Sequence, residues 1–137
     1  MADRPTVLFV CVKNGGKSQM AAALMRDIAG SDVEVHSAGT HPGASINGES
    51  AAAMAEIGIS LGGESPKPID PETLGSVDLV VVLGREAAVD PRPGMRVVTW
   101  ETDEPSARGI VGMERMRLVR DDIAARVRAL AVELARA

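Results

Sequence analysis

The sequence predicts an α/β fold: a three-layer sandwich in which a four-stranded, mainly parallel sheet is flanked by helices. Two observations carry this. Short, continuous apolar runs rich in β-branched residues recur along the chain, as expected of strands buried on both faces. Between them lie segments whose apolar residues repeat every three or four positions, as on one face of a helix.

The elements follow in order. Residues 6–12 (TVLFVCV) form the first run, ended by Gly15 and Gly16. Residues 18–29 follow as a helix with Met20, Leu24 and Ile28 four apart, stopped by Gly30. Residues 33–37 are a short second strand, and residues 38–48 are turn-rich. Asn47 is an N-cap for a helix reaching about Ile57. Gly58, Gly62 and Gly63 break that pattern, and Pro66, Pro68 and Pro71 mark the next stretch as loop. Residues 78–83 (DLVVVL) and 95–100 (MRVVTW) are the third and fourth strands, and residues 101–112 are a polar loop. The last helix is the clearest, with Met113, Met116, Val119, Ile123, Val127, Leu130 and Leu134 on one stripe. Its methionines read as core packing.

Length and composition bound the function. A chain of 137 residues is expected to be one domain, residues 1–137, with no repeat or linker to divide it. A net charge of −4 argues against broad nucleic-acid or anionic-membrane binding. Phe9 and Trp100 are the only aromatic residues, so stacking platforms cannot be built. Cys11 is the only cysteine, which excludes an internal disulfide and a zinc site made of several thiolates; no metal is expected. The start, Met1-Ala-Asp-Arg-Pro, lacks a basic region followed by an apolar stretch, and a cytoplasmic location is expected.

In parallel sheets ligands bind at the carboxyl ends of the strands. The turn after the first strand reads Cys11-Val12-Lys13-Asn14-Gly15-Gly16-Lys17-Ser18. Its composition suits an anion: glycines let N–H groups converge, the helix N-terminus adds partial positive charge, and Lys17 adds a full one. The helix dipole and the ammonium both favour a thiolate at Cys11, and Ser18 can donate a further hydrogen bond. A thiolate facing an oxyanion is the arrangement for nucleophilic attack at its central atom. The same residues nearly match the G-x-x-x-x-G-K-S nucleotide loop. Cys11 replaces its first glycine, however, and no apolar strand ends in an acidic magnesium ligand. An inert, buried thiol is the plain alternative for Cys11.

The spacing C-x5-[R/K]-S close to the N-terminus, VLFVC before it, SQMAAAL after it, Ser37-Ala-Gly-Thr40 after the second strand and the late Asp103-Glu-Pro105 carry a resemblance. The chain resembles the low-molecular-weight protein tyrosine phosphatase superfamily and, within it, the arsenate reductases. Residues 103–123 (DEPSARGIVGMERMRLVRDDI), taken with the loop, are similar to the branch that uses mycothiol, the arsenate-mycothiol transferases.

That resemblance implies arsenate in the loop formed by Val12, Lys13, Asn14, Gly15, Gly16 and Lys17. It makes Cys11 the nucleophile, with Lys17 and Ser18 assisting and Asp103 protonating the departing oxygen. It implies no permanently bound cofactor, mycothiol as co-substrate and a downstream mycoredoxin. Lys67 and Arg108, with Arg115, are candidate contacts for the thiol co-substrate, set against plain surface charge; Asp103 has a solvated turn as its alternative. Ser37 is a further candidate near the loop. His36 and His41 are given no chemistry. The chain departs from the family pattern in Lys17, which stands where the phosphatases have arginine and offers no bidentate fork. It departs also in lacking the extra cysteines of thioredoxin-coupled relatives. Alternative readings are a tyrosine phosphatase of this fold and a non-catalytic oxyanion or redox-sensing module.

Overall fold

The computed structural model describes residues 4–90 and 92–136; the reading made on Met1 to Asp3 lies outside them. Four strands, β1 (Thr6–Cys11), β2 (Glu34–Gly39), β3 (Leu79–Leu83) and β4 (Arg96–Trp100), form one sheet in the order β2-β1-β3-β4. Every pairing is parallel, and Cys11 stands opposite Gly39 in register. The helices are α1 (Lys17–Ala29), α2 (Gly48–Glu56), α3 (Pro71–Ser76) and α4 (Gly112–Ala135).

The alternation of side chains along β1 explains the three layers. Val7, Phe9 and Cys11 face one core with Met20 and Met25 of α1, Met54 of α2, and Val119, Ile123 and Val127 of α4. Leu8 and Val10 face the other core with Leu74 of α3, Val77, Val80 and Val82. Because both faces of β1 and β3 are covered, their sequences are continuously apolar. Phe9 packs against Trp100 with ring centroids 5.9 Å apart, so both aromatics are engaged in the scaffold.

The expected helix at 18–29 begins one residue earlier, and Asn47 caps α2 by accepting from Ser50 N–H. The stretch read as loop around Pro71 contains α3. Pro71 occupies the first turn, where its missing N–H is not needed, and Asp70 caps it by accepting from Glu72 N–H. The polar loop after β4 contains a short 3-10 turn, Pro105–Arg108. No helix among the described residues is long and apolar enough to cross a membrane.

The strand order places β1 centrally, between β2, to which the chain runs first, and β3, to which it crosses back afterwards. The crevice of a parallel sheet opens at such a reversal, at the carboxyl end of the strand. Cys11 is the last residue of β1.

Candidate active site

Helices α1, α2 and α3 start differently. Asn47 caps α2 and Asp70 caps α3, each with a side-chain acceptor and an acidic residue in the first turn. Helix α1 has Gly16 as N-cap, no side-chain cap and no acidic residue in its first turn. Its unpaired N–H groups and positive dipole end therefore face the loop without an internal counter-charge.

The loop backbone is turned by a strap formed by residues 40–47. Thr40, His41, Gly43 and Asn47 donate their N–H groups to the carbonyls of Cys11, Val12, Lys13 and Gly15, at 3.1, 2.8, 2.9 and 2.7 Å. A peptide unit holds its carbonyl and the next N–H in opposite directions. Pulling four carbonyls outward therefore turns the N–H groups of Val12, Lys13, Asn14 and Gly16 inward. Asn14 N–H shows the result, lying 3.3 Å from Cys11 Sγ. Such converging amides form an anion-binding concavity. Gly39 makes it possible: a Cβ there would sit 2.6 Å from Val12 O and 3.0 Å from Asn14 N.

A buried polar network fixes the thiol. Cys11 Sγ lies 3.0 Å from Ser18 Oγ, which accepts from Asn14 Nδ2 at 2.7 Å. Asn14, at φ +53°, accepts at Oδ1 from Gln19 Nε2 (3.1 Å) and from Lys67 N–H (3.0 Å). Asn14, Ser18 and Gln19 are buried. Gln19 went unremarked in the sequence, although a polar residue on the buried side of α1's first turn is a usable signal. Burial of such groups is costly unless they are paired, so the network holds its geometry firmly.

An open cleft of about 1180 Å³ surrounds Cys11. Its walls include the loop, the strap, Gly84 and Arg85 after β3, Thr102 to Glu104 after β4, and Arg115 and Met116 of α4. Neither Phe9 nor Trp100 lines it. Thr102 Oγ1 is buried without a hydrogen-bond partner among the described residues. Among the described residues no cluster of three or more His, Cys, Asp or Glu is arranged to hold a metal ion.

The structure sorts the remaining candidates. Lys17 Nζ lies at the loop and pairs with Glu104 Oε1. Asp103 lines the cleft, but Arg108 grips both of its oxygens, Nη1 at 2.8 Å and Nη2 at 3.1 Å. That guanidinium holds the Asp103 carboxyl below the usual carboxylate range. Both Asp103 oxygens are thus held by hydrogen bonds from Arg108 at the edge of the cleft. Arg108 pairs with Asp103 and does not line the cleft. Lys67 is likewise off the cleft: its ammonium donates to buried Ser37 Oγ at 3.1 Å, and burial pushes it below its ordinary range. Ser37 thus braces Lys67 and does not reach the thiol. His36 pairs with Glu34, and His41 acts through its backbone.

Comparisons with known proteins agree with this geometry. The family described as low molecular weight phosphotyrosine protein phosphatase matches residues 6–137. An arsenate reductase of Brevibacillus brevis is 33% identical over 134 residues, covering 96% of this chain and 97% of its own. Among solved structures, the thioredoxin-dependent arsenate reductase of Corynebacterium glutamicum superposes with a TM-score of 0.83 at 30% identity; 98% of this chain spans 63% of that longer one. An arsenate reductase of Archaeoglobus fulgidus gives 0.76 at 30% identity, covering 92% of this chain and 98% of its own.

Proposed function

We propose that this chain, which belongs to the low molecular weight phosphotyrosine protein phosphatase family, is a thiol-dependent arsenate reductase of the transferase type, an arsenate-mycothiol transferase. One observation carries the reading. The chain's single thiol sits in a concavity of inward-turned N–H groups, beside Lys17 and the uncapped start of α1.

Arsenate binds to the N–H groups of Val12 to Lys17 and to the Lys17 ammonium. Ser18, with Asn14 donating to its oxygen, keeps its own proton available to the Cys11 sulfur and holds the nucleophile in the loop. The Cys11 thiolate attacks arsenic, a sulfur–arsenic bond forms, and one arsenic oxygen leaves as water after protonation from the loop that follows β4. Mycothiol then attacks arsenic, the Cys11–arsenic bond breaks, and arseno-mycothiol departs with arsenic still pentavalent. A mycoredoxin thiol subsequently reduces that conjugate to arsenite.

Two features favour a small oxyanion over an aryl phosphate. Lys17 supplies charge without the planar fork of arginine, and no aromatic side chain walls the cleft. The external thiol follows from arithmetic: with one cysteine, no internal disulfide can form. The cleft is far larger than one tetrahedral oxyanion, leaving space for a second reactant.

The test offers arsenate with mycothiol plus mycoredoxin, with glutathione, or with thioredoxin, in separate reactions. Turnover in the mycothiol arm, abolished by Cys11→Ser, is the expected result. Turnover in the thioredoxin arm alone overturns the external small-thiol reading, and aryl-phosphate hydrolysis without arsenate turnover assigns the chain to the phosphatases.

A further inference from the structure

Most charges around the cleft are paired. Lys17 meets Glu104, Arg85 meets Glu101, and Asp103 meets Arg108. Lys13, Glu86 and Arg115 line the same cleft and have no ion-pair partner among the described residues. Lys13 and Glu86 are exposed, so water serves them. Arg115 is half-buried. It stands at the start of α4, beside buried Met116, and its guanidinium has no acceptor among the described residues. The arginines further along α4 differ: Arg117 and Arg120 hold Glu56, and Arg126 holds Asp122. A guanidinium partly stripped of water and given no acceptor leaves planar N–H donors to be satisfied from the cleft. Lys67 and Arg108, by contrast, do not line it.

We infer that Arg115 anchors the body of the second reactant, the small thiol that takes arsenic from Cys11, and that it does so through uncharged oxygens, amide carbonyls and sugar hydroxyls. The inference rests on the arsenate-transfer reading above. In that reading the oxyanion is met by the loop amides and Lys17, and the cleft is far larger than that ion. The space that remains offers Arg115 as a planar donor and Met20, Ile46, Met116 and Val119 as an apolar wall. Charge selects between thiols. With the ion pairs cancelled, Lys13 and Arg115 against Glu86 leave a surplus of one positive charge, two cations less one carboxylate. A bound, multiply charged arsenate reverses that balance. A thiol that bears carboxylates, such as glutathione, then enters against a like charge. Mycothiol, whose body carries amide and hydroxyl oxygens and no carboxylate, does not.

The experiment gives wild type, Arg115→Ala and Arg115→Gln saturating arsenate and varies the thiol. The arms are mycothiol with mycoredoxin, glutathione, and 2-mercaptoethanol, which has a thiol and almost no body. Affinity for inorganic phosphate is measured alongside by calorimetry. Both variants are expected to raise the KM for mycothiol roughly tenfold, the size of one hydrogen bond to a charged group, with kcat little changed. Phosphate affinity and the slow turnover with 2-mercaptoethanol are expected to match wild type. An unchanged mycothiol KM in both variants overturns the assignment. So does weakened phosphate binding in both, which places the guanidinium on the oxyanion, and so does an equal loss with 2-mercaptoethanol, the mark of a merely structural role. A KM effect confined to glutathione puts a carboxylate on Arg115 and overturns the choice of uncharged oxygens. Wild type that binds phosphate but turns over arsenate in no small-thiol arm overturns the transfer reading itself, and the anchor with it.

Discussion

Ser18 Oγ lies 3.0 Å from Cys11 Sγ while accepting a 2.7 Å hydrogen bond from Asn14 Nδ2. A hydroxyl has one proton, and with Asn14 donating to its oxygen that proton is free to point at sulfur. The direction matters, because a hydrogen bond donated to the thiolate favours the reactive form.

Ser18→Ala should therefore slow alkylation of Cys11 by iodoacetamide roughly tenfold at neutral pH, the size of one hydrogen bond to a charged group. Timed labelling followed by intact mass reads this without ambiguity, since the chain has one cysteine. Unchanged labelling would remove Ser18 from the thiolate's support.

Asn14→Ala should cost about 2–4 kcal/mol of unfolding free energy. It removes the donor to Ser18 and the acceptor of Lys67 N–H, and it forces alanine into positive φ. Denaturant unfolding would check the stability, and alkylation would check the thiol. Both should suffer, because one side chain supports the loop shape and the nucleophile together.

Gly39→Ala should be among the most damaging single-methyl additions. The new Cβ would lie 2.6 Å from the Val12 carbonyl oxygen, a backbone atom that cannot swing aside. A loss of about 3 kcal/mol is expected, together with loss of phosphate binding, since the strand β2 and the oxyanion loop must separate to admit the methyl. A folded variant with native phosphate affinity would contradict this close-packed junction.

Acid should loosen the seam between α2 and α4. Glu56 of α2 is gripped by Arg117 at 2.7 Å and by Arg120 at 2.9 Å, which bring its carboxyl from 4.5 down to about 2. A carboxyl lowered in the folded state stabilises above its unfolded value and loses that contribution as pH falls. The stabilisation is thus complete above about pH 5 and disappears between about 4.5 and 2. Glu56→Gln should be less stable than wild type at pH 7 and converge with it near pH 2, as followed by Tm against pH. Curves that remain parallel would show that the seam does not depend on this carboxylate.

How much of this was legible beforehand divides by the range of the forces involved. The amino-acid sequence alone determined the strands, the long α4 stripe, the Asn47 cap, the single thiol and the cationic glycine loop around it. Each depends on periodicity, a cap or a spacing within a few residues, and such preferences act locally. Helix α3 was readable in principle from Asp70 and Pro71, but Pro66 and Pro68 just before it masked it. The tertiary structure alone decided which way the loop amides face, because the strap that turns them arrives from beyond β2. It decided that Gln19 and Lys67 support Asn14, that Lys67 is off the cleft, and that Arg108 spends Asp103 while Glu104 meets Lys17. Those last two partners are 87 positions apart in the chain. No local preference links them. They meet because the parallel order β2-β1-β3-β4 brings the carboxyl ends of β1 and β4 to the same edge of the sheet, and the loop after each strand must share the space there.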